Sequence, residues 1–201
     1  MIPLIILGLG RIGAGNIGLA GNMPLSHLGA ALSVGGFEIQ GLIDPSEKKR
    51  RLVVENYPKI NPDIVVDSLD ALQSTHGAAI VIATPPEKRL ELVTKLLNTK
   101  PGLLIIEKPL ATDFETGQKI VTLCAAANTE LRVNFNRRFD RRHIDLRAIA
   151  PSNPKTIILR YGKGLYNYGS HLIDLLMNWY GPINSVQAIG NECGLELNNE
   201  Q

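Results

Sequence analysis

The chain holds only two cysteines in 201 residues, Cys124 and Cys193. They lie far apart and stand at no metal-ligand spacing. That argues against a disulfide-stapled scaffold and a cysteine-built metal site, and it fits a reducing, cytoplasmic setting. Neither sign of charge is in excess. Lys and Arg number 21, Asp and Glu 19, for a net charge of +2. Nothing in that balance calls for nucleic acid or an anionic membrane. No apolar run is long enough for a membrane span, and the N-terminal one lacks the basic flank and length of a signal peptide. Internal repeats and low-complexity stretches are missing. What remains, 44% hydrophobic and 20% charged, is ordinary globular material, enough for one domain and part of another.

The rest is organised around the first thirteen residues. The apolar run Ile2-Pro3-Leu4-Ile5-Ile6-Leu7 suits a strand of a parallel sheet, covered on both faces. Gly8-Leu9-Gly10-Arg11-Ile12-Gly13 follows at G-x-G-x-x-G spacing. Gly8 permits a tight turn. Gly10 carries no Cβ, so a pyrophosphate can approach the backbone, and the N–H groups of a following helix start can hold its oxygens. Gly8, Gly10, Arg11, Ile12 and Gly13 are therefore candidate cofactor-binding residues. The plain alternative is a glycine-rich turn with no ligand. After Gly13, about ten residues are inserted before a helix that the sequence starts near Pro24, so the third glycine is not expected to make its usual close helix–strand contact. The insert, residues 14–23, reads either as a flap over the cofactor or substrate or as a surface loop.

The second strand, Phe37–Ile43, ends in Asp44. A carboxylate there accepts hydrogen bonds from the adenosine ribose and repels a 2′-phosphate, which favours NAD. It reads alternatively as a cap of the helix beginning near Ser46. The basic run Lys48-Lys49-Arg50-Arg51 is either a solvated face or a 2′-phosphate site, so NADP stays open. Strand candidates follow at Asp63–Asp67, Ala78–Ala83, Leu103–Ile106 and Leu131–Asn136, with helices at Glu87–Asn98 and Asp113–Ala127. Alternation of this kind specifies a doubly wound parallel sheet over residues 1–136. Thr84-Pro85-Pro86 forms a stiff loop at a strand's carboxyl end, where ligands sit in open α/β sheets. Beyond it, Arg137–His143 opens a basic helix, Lys155–Tyr161 and Ile183–Ile189 read as strands, and Ser170–Trp179 as a helix. Arginines at that strand end suit phosphate, carboxylate or carboxamide.

Five segments taken together resemble one family. They are Gly8–Gly13, Ala83-Thr84-Pro85-Pro86, Glu107-Lys108-Pro109, Asn134-Phe135-Asn136-Arg137-Arg138-Phe139 and Gly169-Ser170-His171-Leu172-Ile173-Asp174. Their order and spacing resemble the glucose–fructose oxidoreductase/inositol dehydrogenase, or Gfo/Idh/MocA, family. The resemblance implies a Rossmann domain followed, over residues 137–201, by the start of an α+β domain with an open, mainly antiparallel sheet for substrate and oligomer contacts. It implies NAD(P)-dependent hydride transfer to or from a sugar or nucleotide-sugar hydroxyl or carbonyl. Carried over by position, Lys108 and His171 are the catalytic pair. Thr84, Pro85, Glu107, Lys108 and Arg138 line the cofactor. Asn167 and Tyr168 join Lys108 and His171 on the substrate side, and Asp174, one turn beyond His171, can fix its orientation. The partners implied are a small sugar-like molecule and further copies of the chain; no metal, nucleic acid or membrane is implied.

Two departures bear on that expectation. Many members carry an Asp four residues before the histidine, where this chain has Asn167. An amide orients a hydroxyl but holds no negative charge at neutral pH, so acid–base work falls on His171 and Lys108. Family members also run well past residue 201, so either the chain is a fragment or a partner covers the incomplete second sheet. A rival reading is therefore a catalytically silent dinucleotide-binding module or a truncated partner subunit.

Overall fold

The computed structural model describes residues 1–15, 19, 20, 23–72 and 75–187. The chain divides into two compact units, Met1–Asn134 and Phe135–Gln201.

The first unit is built on a six-stranded sheet, with every neighbouring pair parallel. Its strands are β1 (Ile2–Leu7), β4 (Phe37–Ile43), β5 (Val65–Val66), β6 (Ala79–Ile82), β7 (Leu103–Glu107) and β8 (Glu130–Asn134). A separate short pair, β2 (Leu19–Ala20) and β3 (Met23–Pro24), is antiparallel. The main sheet runs β5-β4-β1-β6-β7-β8. The chain therefore winds outward from β1 in one direction, returns, and winds out in the other. This is the Rossmann order, with its switch point between β1 and β6.

The period-2 pleat sorts the core onto two faces. Ile5 and Leu7 of β1, Ile80 and Ile82 of β6, and Leu104 and Ile106 of β7 pack with Val93, Leu96, Ile120 and Cys124. Those last four belong to α3 (Arg89–Leu97) and α4 (Phe114–Ala126). On the other face, Leu4, Ile6, Leu42, Ala79 and Val81 pack with Leu28, Ala31 and Val53. These come from α1 (His27–Val34) and α2 (Glu47–Asn56). Burial on both faces explains why β1 and β6 read as unbroken apolar runs. Burial also pushes the Cys124 thiol above its ordinary range, as suits a core side chain.

Local chemistry sets the helix ends. Ser26, in extended conformation, accepts the N–H of Gly29 at 3.2 Å and starts α1 at His27. Pro24 belongs to β3, so the helix begins three residues later than the proline signal suggests. Asp113 caps α4 through the N–H of Thr116 at 2.8 Å. The insert is accounted for in part by a π-turn over Arg11–Gly15 and by the β2–β3 pair; its remaining residues lie outside the described ones.

The second unit carries α5 (Arg141–Ile149) and α6 (Ser170–Tyr180). The basic helix begins at Arg141 rather than Arg137, because Asp140 caps it through the N–H of Arg142 at 2.9 Å. Asn136–Phe139 forms a 3₁₀ turn instead. The strand expected over Lys155–Tyr161 does not form, nor does one over 183–187, and residues 188 and 189 lie outside the described ones. Among the described residues of this unit no strand is present. A β-branched run has no ladder without a neighbouring strand to take its N–H and C=O groups.

Candidate cofactor and active site

The glycine turn closes β1 onto its two neighbours. The N–H of Gly8 donates to Ile43 O at 2.8 Å, and that of Ala83 to Leu7 O at 2.8 Å. Gly8 has φ +89°, and a Cβ there would sit 2.7 Å from Ala83 O. Only glycine meets both conditions. A Cβ on Gly13 would fall 1.8 Å from Gly8 O and 3.5 Å from Ala83 Cβ. The third glycine thus makes a close contact after all, and the insert has not displaced it. The π-turn explains why: Gly15 N–H reaches back to Gly10 O at 2.8 Å and folds Gly13 under the loop. At Gly10 a Cβ would meet nothing within 4 Å. The loop therefore offers open approach to bare backbone at Gly10 and is tightly packed on either side. This cradle fits a pyrophosphate. Arg11 and Ile12 are exposed on it.

Asp44 is 3% exposed and tied inward. Its Oδ2 accepts the N–H of Leu9 at 2.8 Å and the Lys49 ammonium at 3.2 Å; its Oδ1 accepts the N–H of Ser46 at 2.9 Å. The bond to Ser46 belongs to the helix-start reading, and the bond to Leu9 ties the acid to the glycine loop. Arg50 stacks its donors on the same strand end, giving Nη1 to Asp44 O at 2.8 Å and Pro45 O at 3.0 Å.

The carboxyl ends of β6 and β7 are joined by Arg89, which is 1% exposed. Its Nη1 donates to Glu107 O at 2.9 Å, to Leu110 O at 3.3 Å and to Pro109 O, while Nη2 donates to Thr84 O. A planar guanidinium suits this task, since its fork points several donors at once. Burial lowers its pKa to about 10 against the attraction of Glu107 and Glu87, so it remains charged at neutral pH. Lys108 follows on this turn, joined to Pro109 by a cis peptide. Glu107 extends in the other direction. Its Oε1 receives His27 Nε2 at 2.8 Å and Asn134 Nδ2 at 2.6 Å. Burial pushes the Glu107 carboxyl up, yet these two bonds and the attraction of His27 and Lys108 outweigh it and leave it below its ordinary value.

In the second unit, Arg138 grips Asp174 with two parallel bonds, Nε to Oδ2 at 2.7 Å and Nη2 to Oδ1 at 2.5 Å. The bridge joins the 3₁₀ turn to α6. Asp174 is thus engaged by Arg138. His171 stands edge-on to Phe135, ring centroids 5.9 Å apart at 90°. Asn167 and Tyr168 lie on a π-turn, Leu165–Gly169, that runs into α6. Arg137 and Lys163 lie 5.0 and 5.8 Å from the Tyr168 ring centroid.

The first unit thus brings Gly8, Gly10, Gly13, Asp44, Thr84, Glu107 and Lys108 to the ends of neighbouring parallel strands. Arg138, Asn167, Tyr168 and His171 belong to the second unit. Three residues that hold the strand ends escaped the sequence reading: His27, Arg89 and Asn134. Arg89 had left a signal, since Arg89, Val93 and Leu96 share the inward stripe of α3 at i, i+4, i+7 and a charge there demands partners. Asn134 is the register partner of Glu107. His27 left none.

A family model described as an oxidoreductase family with an NAD-binding Rossmann fold, GFO_IDH_MocA, matches residues 5–135. Inositol 2-dehydrogenase from Rhodococcus erythropolis is 29% identical over 153 residues, 75% of this chain and 40% of that protein. Inositol 2-dehydrogenase 1 from Mycolicibacterium vanbaalenii is 31% identical over 150 residues, 74% of this chain and 40% of that protein. The chain spans about 40% of the length of these curated relatives. Among solved structures, the WlbA dehydrogenase from Bordetella pertussis, in complex with NADH and UDP-GlcNAcA, shares the fold with a TM-score of 0.64. The two are 21% identical, over 90% of this chain and 56% of that one. An oxidoreductase from Agrobacterium radiobacter, in complex with NAD+, L-tartaric acid and magnesium, gives a TM-score of 0.69. It is 19% identical over 90% of this chain and 55% of that one. With its glycine turn, its strand order and this match, the chain belongs to the Gfo/Idh/MocA oxidoreductase family, whose nucleotide-binding domain is an NAD-binding Rossmann fold.

Proposed function

We propose that the chain binds a nicotinamide dinucleotide, NAD in preference to NADP, and serves hydride transfer to or from a hydroxyl-bearing carbon of a sugar, polyol or nucleotide sugar. One observation carries the reading. β1, β6 and β7 are adjacent and parallel, so Gly10, Thr84 and Lys108 all follow the carboxyl ends of neighbouring strands at the sheet's switch point. The dehydrogenases named above support turnover over a silent module, and the inositol 2-dehydrogenases and the UDP-GlcNAcA held by WlbA support the substrate class.

In this reading, the glycine loop holds the pyrophosphate, Asp44 faces the adenosine ribose, and Thr84, Pro85 and Glu107 line the nicotinamide half. When bound, the dinucleotide supplies the hydride acceptor or donor. Lys108 Nζ stabilises the negative charge that grows on the substrate oxygen. His171 takes the hydroxyl proton in oxidation and returns it in reduction. Arg138 works through Asp174 on the helix that carries His171. Asn167 and Tyr168 orient substrate hydroxyls. The second unit supplies the substrate side and contacts between copies of the chain.

The test is direct. NADH and NADPH are titrated by fluorescence, and myo-inositol, neutral sugars and nucleotide sugars are screened for a change in nicotinamide absorbance. The reading expects NADH binding and turnover of at least one polyol or sugar. Lys108→Ala is expected to keep cofactor affinity within a few-fold and to lose most turnover. Binding without turnover across the screen would favour the silent module, and failure to bind either dinucleotide would remove both readings.

A further inference from the structure

His27 has no place in the reading just given. It is the first residue of α1, and its ring reaches across to the end of β7, where Nε2 lies 2.8 Å from Glu107 Oε1. Asn134 Nδ2 meets the same oxygen at 2.6 Å. Both side chains of the His27–Glu107 pair are mostly buried, 17% and 18% exposed. The groups packed around the Glu107 carboxylate come from four elements: His27 from α1, Asn134 from β8, Arg89 from α3 and Lys108 from its own turn. Arg89 and Lys108 are cations, and Arg89 is buried with no carboxylate among its hydrogen-bond acceptors. Glu107 and Glu87 both attract the Arg89 charge, and Glu107 alone of the two also bonds His27 and Asn134 among the described residues.

We propose that His27 is a positioning residue: its Nε2–H holds the Glu107 carboxylate charged and fixed in orientation beside Lys108, at the edge assigned to the nicotinamide half. The inference rests on that assignment for its meaning in catalysis, though not for its chemistry. Asn134 can only donate through Nδ2, and an ionised carboxylate can only accept. An oxygen already serving one donor accepts a second, so Nε2 must carry hydrogen. Without His27 the burial of Glu107 has one less bond against it, and the carboxyl is expected to take up a proton at higher pH. A neutral Glu107 would then remove one of the two carboxylates that attract Arg89, and the charge that Lys108 attracts.

The experiment uses the full chain labelled with 13C at the glutamate carboxyl. The Glu107 resonance is identified by its loss in Glu107→Gln. In the unaltered protein it is expected to titrate below the ordinary glutamate range. In His27→Leu it should move up by about one to two pH units, the size expected for one lost bond to a charged group. His27→Gln, whose amide restores a neutral N–H donor, should recover most of that shift. NADH affinity measured across pH 5–9 should follow the same ordering, with the acid limb displaced upward in His27→Leu and restored in His27→Gln. An unmoved Glu107 titration in His27→Leu, or a glutamine variant indistinguishable from the leucine one, would overturn the proposal. Imidazole 15N shifts supply a measurement that needs no variant. Hydrogen on Nε2 supports the proposal; a bare Nε2 with the proton on Nδ1 sinks it. Should the carboxyl shift as expected while no form binds NADH, the positioning of Glu107 stands and the proposed function falls.

Discussion

The carboxylate of Asp44 accepts the backbone N–H of Leu9 at 2.8 Å, across 35 residues of chain. Through that bond the end of β4 holds the middle of the glycine turn. In the proposed function the same carboxylate faces the adenosine ribose, so one buried acid would both brace the glycine turn and favour NAD. Asp44→Ala would strand the N–H groups of Leu9 and Ser46, and each unsatisfied buried donor costs roughly 1–3 kcal/mol. We expect a lower melting temperature and weaker binding of both NADH and NADPH. The loss should be greater for NADH, because removing the charge also lifts repulsion from the 2′-phosphate. Fluorescence titration of both cofactors decides it, and equal losses would reduce Asp44 to a brace.

The glycines of the turn make opposite demands, and the substitutions separate them. A Cβ on Gly13 collides with Gly8 O, whereas one on Gly10 points into open space. Gly13→Ala is expected to destabilise the fold by about 1–3 kcal/mol or more, as overpacking does. Gly10→Ala should leave the melting temperature within about 1 °C, since it meets no neighbour. It should instead weaken dinucleotide binding at least tenfold, because the methyl occupies the approach to the phosphates. Urea melts and NADH titrations of the two variants check both halves. A Gly10→Ala protein that binds as before would place the pyrophosphate elsewhere.

Arg89 makes a third case, because its Nη1 and Nη2 serve backbone carbonyls at the ends of two strands. Arg89→Met fills similar space but leaves those carbonyls without their donor, and we expect a loss of at least about 2 kcal/mol. Arg89→Lys keeps the charge without the planar fork, so it should recover only part of it. Chemical denaturation of the three proteins measures this. A lysine variant as stable as the parent would show that charge, not fork geometry, is what the site requires.

Much of the first unit was legible because its signals are local. Apolar runs such as Leu4–Leu7 and Ala79–Ile82 are buried on both faces, and strand ends are marked by Gly8, Asp44 and the Thr84-Pro85-Pro86 loop. The Asp113 cap was equally readable from its place before a periodic segment. What escaped is non-local. That Gly13 stays packed despite the insert follows from an i→i+5 bond, Gly15 to Gly10, which no residue pattern announces. The link from His27 to Glu107 joins residues 80 apart, and histidine at a first helical position has no distinctive signature. The Lys155–Tyr161 segment shows the reverse error. Its β-branched centre favours a strand, but strand formation depends on a partner that no local pattern supplies.

The carboxylates also fix how the fold responds to acid. Asp113 is held low by the Thr116 N–H and hydroxyl, and Asp140 well below the usual carboxylate range by Arg142. Glu107 is low despite its burial, through His27 and Asn134. In each, the folded value lies below the unfolded one. Near pH 4 and below, the unfolded chain therefore binds more protons than the folded chain, and stability falls as pH falls. These contributions are complete above the unfolded carboxylate values of about 4 and drain away as pH drops through the lower folded ones. Urea melts from pH 7 down to pH 3 should show a declining midpoint. Glu107→Gln combined with Asp113→Asn and Asp140→Asn puts an amide of similar size at each position and removes the titration. The triple variant is expected to start lower at pH 7 and to decline less steeply towards pH 3. If its slope matches the parent's, the acid response resides in other carboxylates.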